Sequence, residues 1–251
     1  PTPCVDGEEV LWLPRTGLRL TWQITAGAVA TRGIAQTKYE ARINDLRTGA
    51  VAWTSGVTAS CDPFTVASPQ PPLTSDTSYM VSVRVWTSGT NAGPTPWKSA
   101  KFDTAPDVTS WSSAEWIGGH NQLRGDMVIP NNAVVKRARL YAIGLGAFVV
   151  SLNGQRVGDH VMDPPQTAYP VRALHSSFNI TQLLRPGPNA IGALIGRYKY
   201  GYMDVWCNLT AALHHPNACR SFRLQIVAEL ADGKVIAAHT KADGSWVGRQ
   251  S

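Results

Sequence analysis

The sequence predicts an all-β protein made of two consecutive β-sandwich domains, residues 1–106 and 118–251, with a linker over 107–117. Three observations lead there. Apolar residues alternate with polar ones in segment after segment, and no long amphipathic helical stretch interrupts them. Turn formers are dense, with 22 Gly and 17 Pro in 251 residues, which keeps elements short. Charge is sparse at 16% against 43% hydrophobic residues, so there is apolar material to fill two cores.

The first domain opens with Leu18, Leu20 and Trp22 alternating with Arg19, Thr21 and Gln23. A second strand places Thr37, Tyr39, Ala41 and Ile43 opposite Lys38, Glu40, Arg42 and Asn44. Arg47-Thr48-Gly49 is a turn and Val51-Ala52-Trp53 continues the sheet. Leu73 and Tyr79 are spaced like a tyrosine corner, in which the phenol bonds to upstream backbone and fixes a sandwich corner. Tyr79, Val81, Val83 and Val85 then alternate with Met80, Ser82, Arg84 and Trp86, and Trp97 to Asp103 closes the domain.

The second domain begins with alternation from Val134 to Ile143, where Ala138, Leu140 and Ala142 lie opposite Arg137, Arg139 and Tyr141. Phe148, Val150 and Leu152 form the next strand. Asn153-Gly154 follows, the dipeptide best suited to positive φ at both centres of a tight hairpin, and Gln155 starts the return strand. Phe178 to Leu184, a turn at Arg185-Pro186-Gly187-Pro188 and a short apolar strand over Asn189–Gly196 come next. Phe222, Leu224, Ile226, Ala228 and Leu230 share one face of a last hairpin that turns at Asp232-Gly233 and returns over Lys234–Thr240.

Taken in order, these residues resemble one family. Leu152-Asn153-Gly154, Val157-Gly158-Asp159, Asp163-Pro164, Thr167, Tyr169, Ile180-Thr181, Leu183-Leu184, Gly187 and Asn189-Ala190-Ile191-Gly192 are similar to the N-terminal β-sandwich of bacterial-type α-L-rhamnosidases, glycoside hydrolase family 78. Leu18 to Trp22, Tyr39, Trp53 to Gly56, Leu73, Tyr79, Val83 to Trp86, Trp97 and Phe102 to Thr104 resemble the fibronectin type III (Ig-like) module that precedes it. Trp111 and Trp116-Ile117-Gly118 resemble the family's linker, and Asp243 to Trp246 the end of its jelly-roll-like sandwich. The resemblance implies an inverting glycosidase, which needs two carboxyls with room for a water between them. In the family these sit in an (α/α)6 barrel after the present domains, so no catalytic residue is carried onto this chain, and it is expected not to be an enzyme. Some members bind rhamnose with calcium on this sandwich. Their ligands do not align here, so the metal stays unassigned, and no cofactor is expected.

The net charge of +6 comes from scattered basic residues without a Lys/Arg tract, which favours a mildly basic soluble surface over nucleic-acid binding. No run of 18 apolar residues offers a membrane helix. Four cysteines fall two to each half, and Cys4–Cys61 with Cys207–Cys219 is the simplest of three pairings. Zinc is the rival reading, unsupported by any C-x-x-C spacing. Asn179-Ile180-Thr181 and Asn208-Leu209-Thr210 are N-glycosylation sequons. With the even cysteines and a chain that starts at Pro1, they point to a processed or partly covered extracellular glycoprotein.

Tyr198, Tyr200 and Tyr202 recur at period two and Trp206 follows, which makes them the candidate sugar-stacking face, with core or interface packing the plainer reading. The family usually carries Gly-Trp near Arg197-Tyr198, a departure that loosens any transfer of its contacts. His214-His215 reads as a solvated loop pair, since neighbours on a strand point to opposite faces. The expected function is a non-catalytic structural module at the cell surface or in a fibre-like extracellular assembly that self-associates through edge strands. A carbohydrate-binding module and the accessory front of a longer α-L-rhamnosidase are the alternatives. Glycans, attached and bound, are the expected partners, with no nucleic acid.

Overall fold

The structure, a computed structural model, describes residues 2–3, 10–24, 33–88, 93–169, 171–196 and 221–249. Contacts divide the chain into two units, Pro1–Val108 and Thr109–Ser251. Each consists of β-sheets around its own apolar core, so the fold is the pair of β-sandwiches expected from the alternating pattern. The described residues contain no α-helix.

The first unit holds β1 (Thr2–Pro3), β2 (Val10–Leu13), β3 (Leu18–Gln23), β4 (Gln36–Asp45), β5 (Val51–Thr54), β6 (Thr58–Ala59), β7 (Phe64–Ala67), β8 (Ser78–Thr87) and β9 (Lys98–Thr104). One sheet runs β2-β9-β8-β4-β5 with β6 also on β4, and the other runs β1-β3-β7. Leu18, Leu20 and Trp22 from the smaller sheet meet Tyr39, Ala41, Ile43, Val81, Val83, Val85 and Phe102 from the larger one. Gln36 is buried but satisfied: its Oε1 accepts from the Trp22 indole at 2.8 Å, and its Nε2 donates to the carbonyls of Ser60 and Asp62. The tyrosine corner is present, with the Tyr79 hydroxyl accepting from the Thr74 amide at 2.9 Å beside buried Leu73. On the outer face of the larger sheet, Arg84 is paired with Glu40 and lies 4.6 Å from the Trp97 ring centre, while Arg42 lies 4.2 Å from the same ring.

A 3₁₀ segment over Val108–Ser113 leads into the second unit. There follow β10 (Ile117–Gly118), β11 (Gln122–Ile129), β12 (Val135–Leu145), β13 (Ala147–Leu152), β14 (Gln155–Arg156), β15 (Ser176–Asn179), β16 (Gly187–Gly196), β17 (Ser221–Leu230), β18 (Val235–His239) and β19 (Val247–Arg249). One sheet has the order β10-β17-β12-β15 with β18 also on β17, and the other β14-β13-β16-β11-β19. Ala138, Leu140, Ala142, Phe222, Leu224 and Ile226 of the first sheet pack on Leu123, Met127, Ile129, Val150, Ile191 and Ile195 of the second.

Three features depart from the reading of the sequence alone. The strand over Asn189–Gly196 is longer, starting at Gly187. The alternation on β12 predicts one exposed face, yet Arg137, Arg139 and Tyr141 on that face are buried, and Trp111 from the 3₁₀ segment lies 6.3 Å from the Tyr141 ring. And β11 carried no visible strand signal, because Gly125 occupies one of its core-facing positions between Leu123 and Met127.

The Asn153-Gly154 turn has φ of 53° and 82°, as a hairpin turn with two left-handed residues requires. Asn153 donates through Nδ2 to the Leu183 carbonyl (3.1 Å) and to Asn189 Oδ1 (2.9 Å), and its own Oδ1 accepts from the Ala190 amide (3.0 Å). Asn189 is fully buried and makes four bonds: its oxygen also accepts from the Arg185 amide, and its nitrogen donates to the carbonyls of Arg185 and Gly187.

Asn189→Ala is expected to destabilise the second unit by about 2–4 kcal/mol, since it strands several buried polar groups at once. Tyr79→Phe removes one bond to the Thr74 amide and is expected to cost the first unit about 1 kcal/mol. Urea denaturation of each variant checks both values.

Candidate functional site

The second unit carries a cleft of about 750 Å³ between the free ends of its two sheets. One wall is β10 and the start of β17, the other is β11 and β19, and the segment joining β18 to β19 also lines it. Its chemistry comes from Glu115, Trp116, His120, Arg223, Lys241 and Trp246. A volume of this size falls within the range of clefts that hold small ligands.

Thr240 sets the wall geometry. It is fully buried, exchanges bonds with the Leu224 backbone, and its hydroxyl donates to the Glu115 carbonyl at 2.6 Å. The Glu115 amide donates to the Thr240 carbonyl at 2.7 Å, and the Glu115 carboxylate accepts from the Ala242 amide at 2.8 Å. Residues 115 and 240–242 are thereby riveted together although far apart in the chain. Trp246 is fixed by an indole N–H donated to the His239 carbonyl at 3.0 Å and by its ring lying against Gly125, where any Cβ would overlap it. His120 lies against Gly248 in the same manner.

Cations outnumber anions in the cleft. Arg223 donates through Nη2 to the Trp111 carbonyl and sits 5.7 Å from the Trp111 ring centre, while its Nε is buried without a hydrogen-bond partner. Burial lowers its pKa from the usual guanidinium value. Lys241 is exposed at the rim, and its charge adds to burial in lowering the pKa of His239. Nδ1 of His120 is buried without a partner. Beyond the rim, Asp243 is held below the usual carboxylate range by bonds from the Ser245 hydroxyl and amide.

The residues singled out from sequence fare differently. Tyr198, Tyr200, Tyr202, Trp206, Asn208, Cys4, Cys207, Cys219 and the His214-His215 pair lie outside the described residues. Asn179 is exposed at the end of β15, its Oδ1 accepting from the Thr181 hydroxyl and amide. Cys61 is exposed and carries no disulfide among the described residues. No three His, Cys, Asp or Glu side chains gather to hold a metal among the described residues, and no described helix is long and apolar enough to cross a membrane. The cleft was not visible in sequence as a site: Trp116 read only as part of the linker, Trp246 as the end of the second domain, and Arg223 was not singled out.

A second polar cluster lies on the outer face of β12. Ser177 and Gln225 flank Tyr141 on the neighbouring strands, and Ser177 Oγ, Gln225 Oε1 and His175 Nε2 are buried without partners. His175 sits 5.9 Å from Trp111 and 6.0 Å from Tyr141, and burial lowers its pKa.

Known proteins resemble the chain over both units. Residues 4–106 match the Rha78A-like N-terminal immunoglobulin domain, and residues 133–251 match the α-L-rhamnosidase N-terminal domain. An α-L-rhamnosidase of Formosa agariphila is 29% identical over 165 residues, 54% of this chain and 17% of that enzyme. One of Streptomyces avermitilis is 32% identical over 143 residues, 53% of this chain and 13% of that enzyme. The chain thus spans well under a fifth of the length of these relatives. Among solved structures, the α-L-rhamnosidase from Dictyoglumus thermophilum superposes with a TM-score of 0.78 over 98% of this chain and 29% of its own, at 22% identity. The Aspergillus terreus α-L-rhamnosidase gives 0.76 over 95% and 28%, at 25% identity.

Two outcomes follow from this geometry. Gly125→Val is expected to expel the Trp246 ring, shift its fluorescence towards that of solvated indole and cost about 1–3 kcal/mol. For His175, the unfolded chain takes up a proton near the ordinary value of 6.5 while the folded chain resists it to lower pH. Its contribution is therefore complete above that value and lost as pH falls below it. Urea melts at stepped pH are expected to show this loss, with a shallower slope in His175→Gln.

Proposed function

We propose that the chain, which matches the immunoglobulin-like and N-terminal sandwich domains of α-L-rhamnosidases in series, is the accessory, non-catalytic front of a longer rhamnosidase. The observation that carries this is the order of the two domain matches, 4–106 and then 133–251, which together account for most of the chain. No catalytic carboxylate pair is assigned to it. The fibre-forming structural module expected from sequence rests on no observation in the fold and gives way to this reading. Secretion is part of the same proposal, supported by the two sequons.

The expected outcome is that the purified 251-residue chain releases no nitrophenol from an aryl α-L-rhamnoside. Deglycosylated native protein is expected to run well above 27.1 kDa on a denaturing gel. Turnover by the pure chain, or a native band at the chain's own mass, overturns the proposal.

A further inference from the structure

We infer that the cleft at the open end of the second sandwich is a binding site for an acidic saccharide, with the carboxylate of a uronic acid held by Arg223 and Lys241. The inference stands whether or not a catalytic barrel follows the chain.

Four features carry it. First, a guanidinium cannot discharge by losing its proton, so a buried Nε–H without an acceptor needs an anionic or strongly polar oxygen to offset its desolvation. Arg223 lines the cleft, and its Nη2 is tied to the Trp111 carbonyl, so the group is oriented before any ligand arrives. Second, Lys241 stands on the same rim without an ion pair among the described residues, and Arg and Lys together favour a carboxylate over a neutral hydroxyl. The lining sets these two cations against one carboxylate, Glu115, while Asp243 beyond the rim feels the Lys241 charge.

Third, the walls suit a ring. Trp116 and Trp246 both line the cleft, together with Gly118, Gly244 and Gly248. Trp246 is locked by Gly125 and the His239 carbonyl, so its face is preorganised and loses little rotamer entropy on binding. Fourth, His120 brings another buried ring nitrogen without a partner, Nδ1, able to donate or accept according to its tautomer. A pair of cations beside two indoles suits a uronate sugar better than inorganic phosphate, which has no apolar face to set against the indoles.

Titration of the full chain with digalacturonate, followed by calorimetry and tryptophan fluorescence, tests the site. Saturable binding is expected, weakened at least about tenfold when both carboxylates are methyl-esterified, because the charge-assisted bonds are lost. Arg223→Gln is expected to weaken binding by about tenfold or more and Lys241→Gln by about threefold. Lys241 is exposed, so its variant keeps the test decisive if Arg223→Gln fails to fold. Four results would each overturn the assignment: equal affinity for acid and ester, displacement by sulfate at equal concentration, binding unmoved by both substitutions, or no binding up to about 10 mM.

Discussion

The second sandwich hangs on two asparagine side chains. Asn153 sits at the tip of the β13–β14 hairpin, and Asn189 lies buried near the start of β16, the strand paired with both β13 and β11. Their mutual bond ties the hairpin tip to the Leu183–Asn189 turn, and every polar atom of the Asn189 side chain is used twice over or shared. Asparagine suits the place because it offers both a donor and an acceptor without a charge to desolvate. With the turn fixed in this way, β13 keeps its register on β16 from Phe148–Ile195 to Leu152–Ile191, and the core face cannot slip to the solvent side.

Much of this was legible from the residues. Period-two alternation located β3, β4, β8, β12 and β17, and the Asn153-Gly154 dipeptide located a hairpin that the φ angles bear out. The Leu73–Tyr79 spacing found the tyrosine corner. What stayed hidden has one physical cause, the contribution of distant chain segments to one place. β11 looked unlike a strand because its central core position is Gly125, and the apolar group filling that notch is supplied by Trp246. Tyr141 looked solvent-facing because Trp111, outside the strand, shields it. The cleft was invisible for the same reason, since its lining draws on residues near 115, 223 and 246 that no local pattern connects.

The two units spend polar groups differently. In the first, buried polar side chains such as Gln36 and Thr104 are bonded to neighbouring backbone and behave as structural pins. In the second, several buried polar atoms around Tyr141 and in the cleft have no such partner. Buried groups left unpaired weigh against folding; the first unit has one at Arg42 Nε, so the difference between the units is one of number.

The lock between Gly125 and Trp246 has a consequence for how the protein is made. During synthesis β11 leaves the ribosome long before the residue that completes its inner surface. Until Trp246 emerges, the strand has a notch against the core, and its neighbour β19 is missing from the sheet edge. The first unit meets no such delay, because all the residues of its core precede the linker. Vectorial synthesis therefore favours a finished leading sandwich while the trailing one waits open-edged for its last aromatic residue.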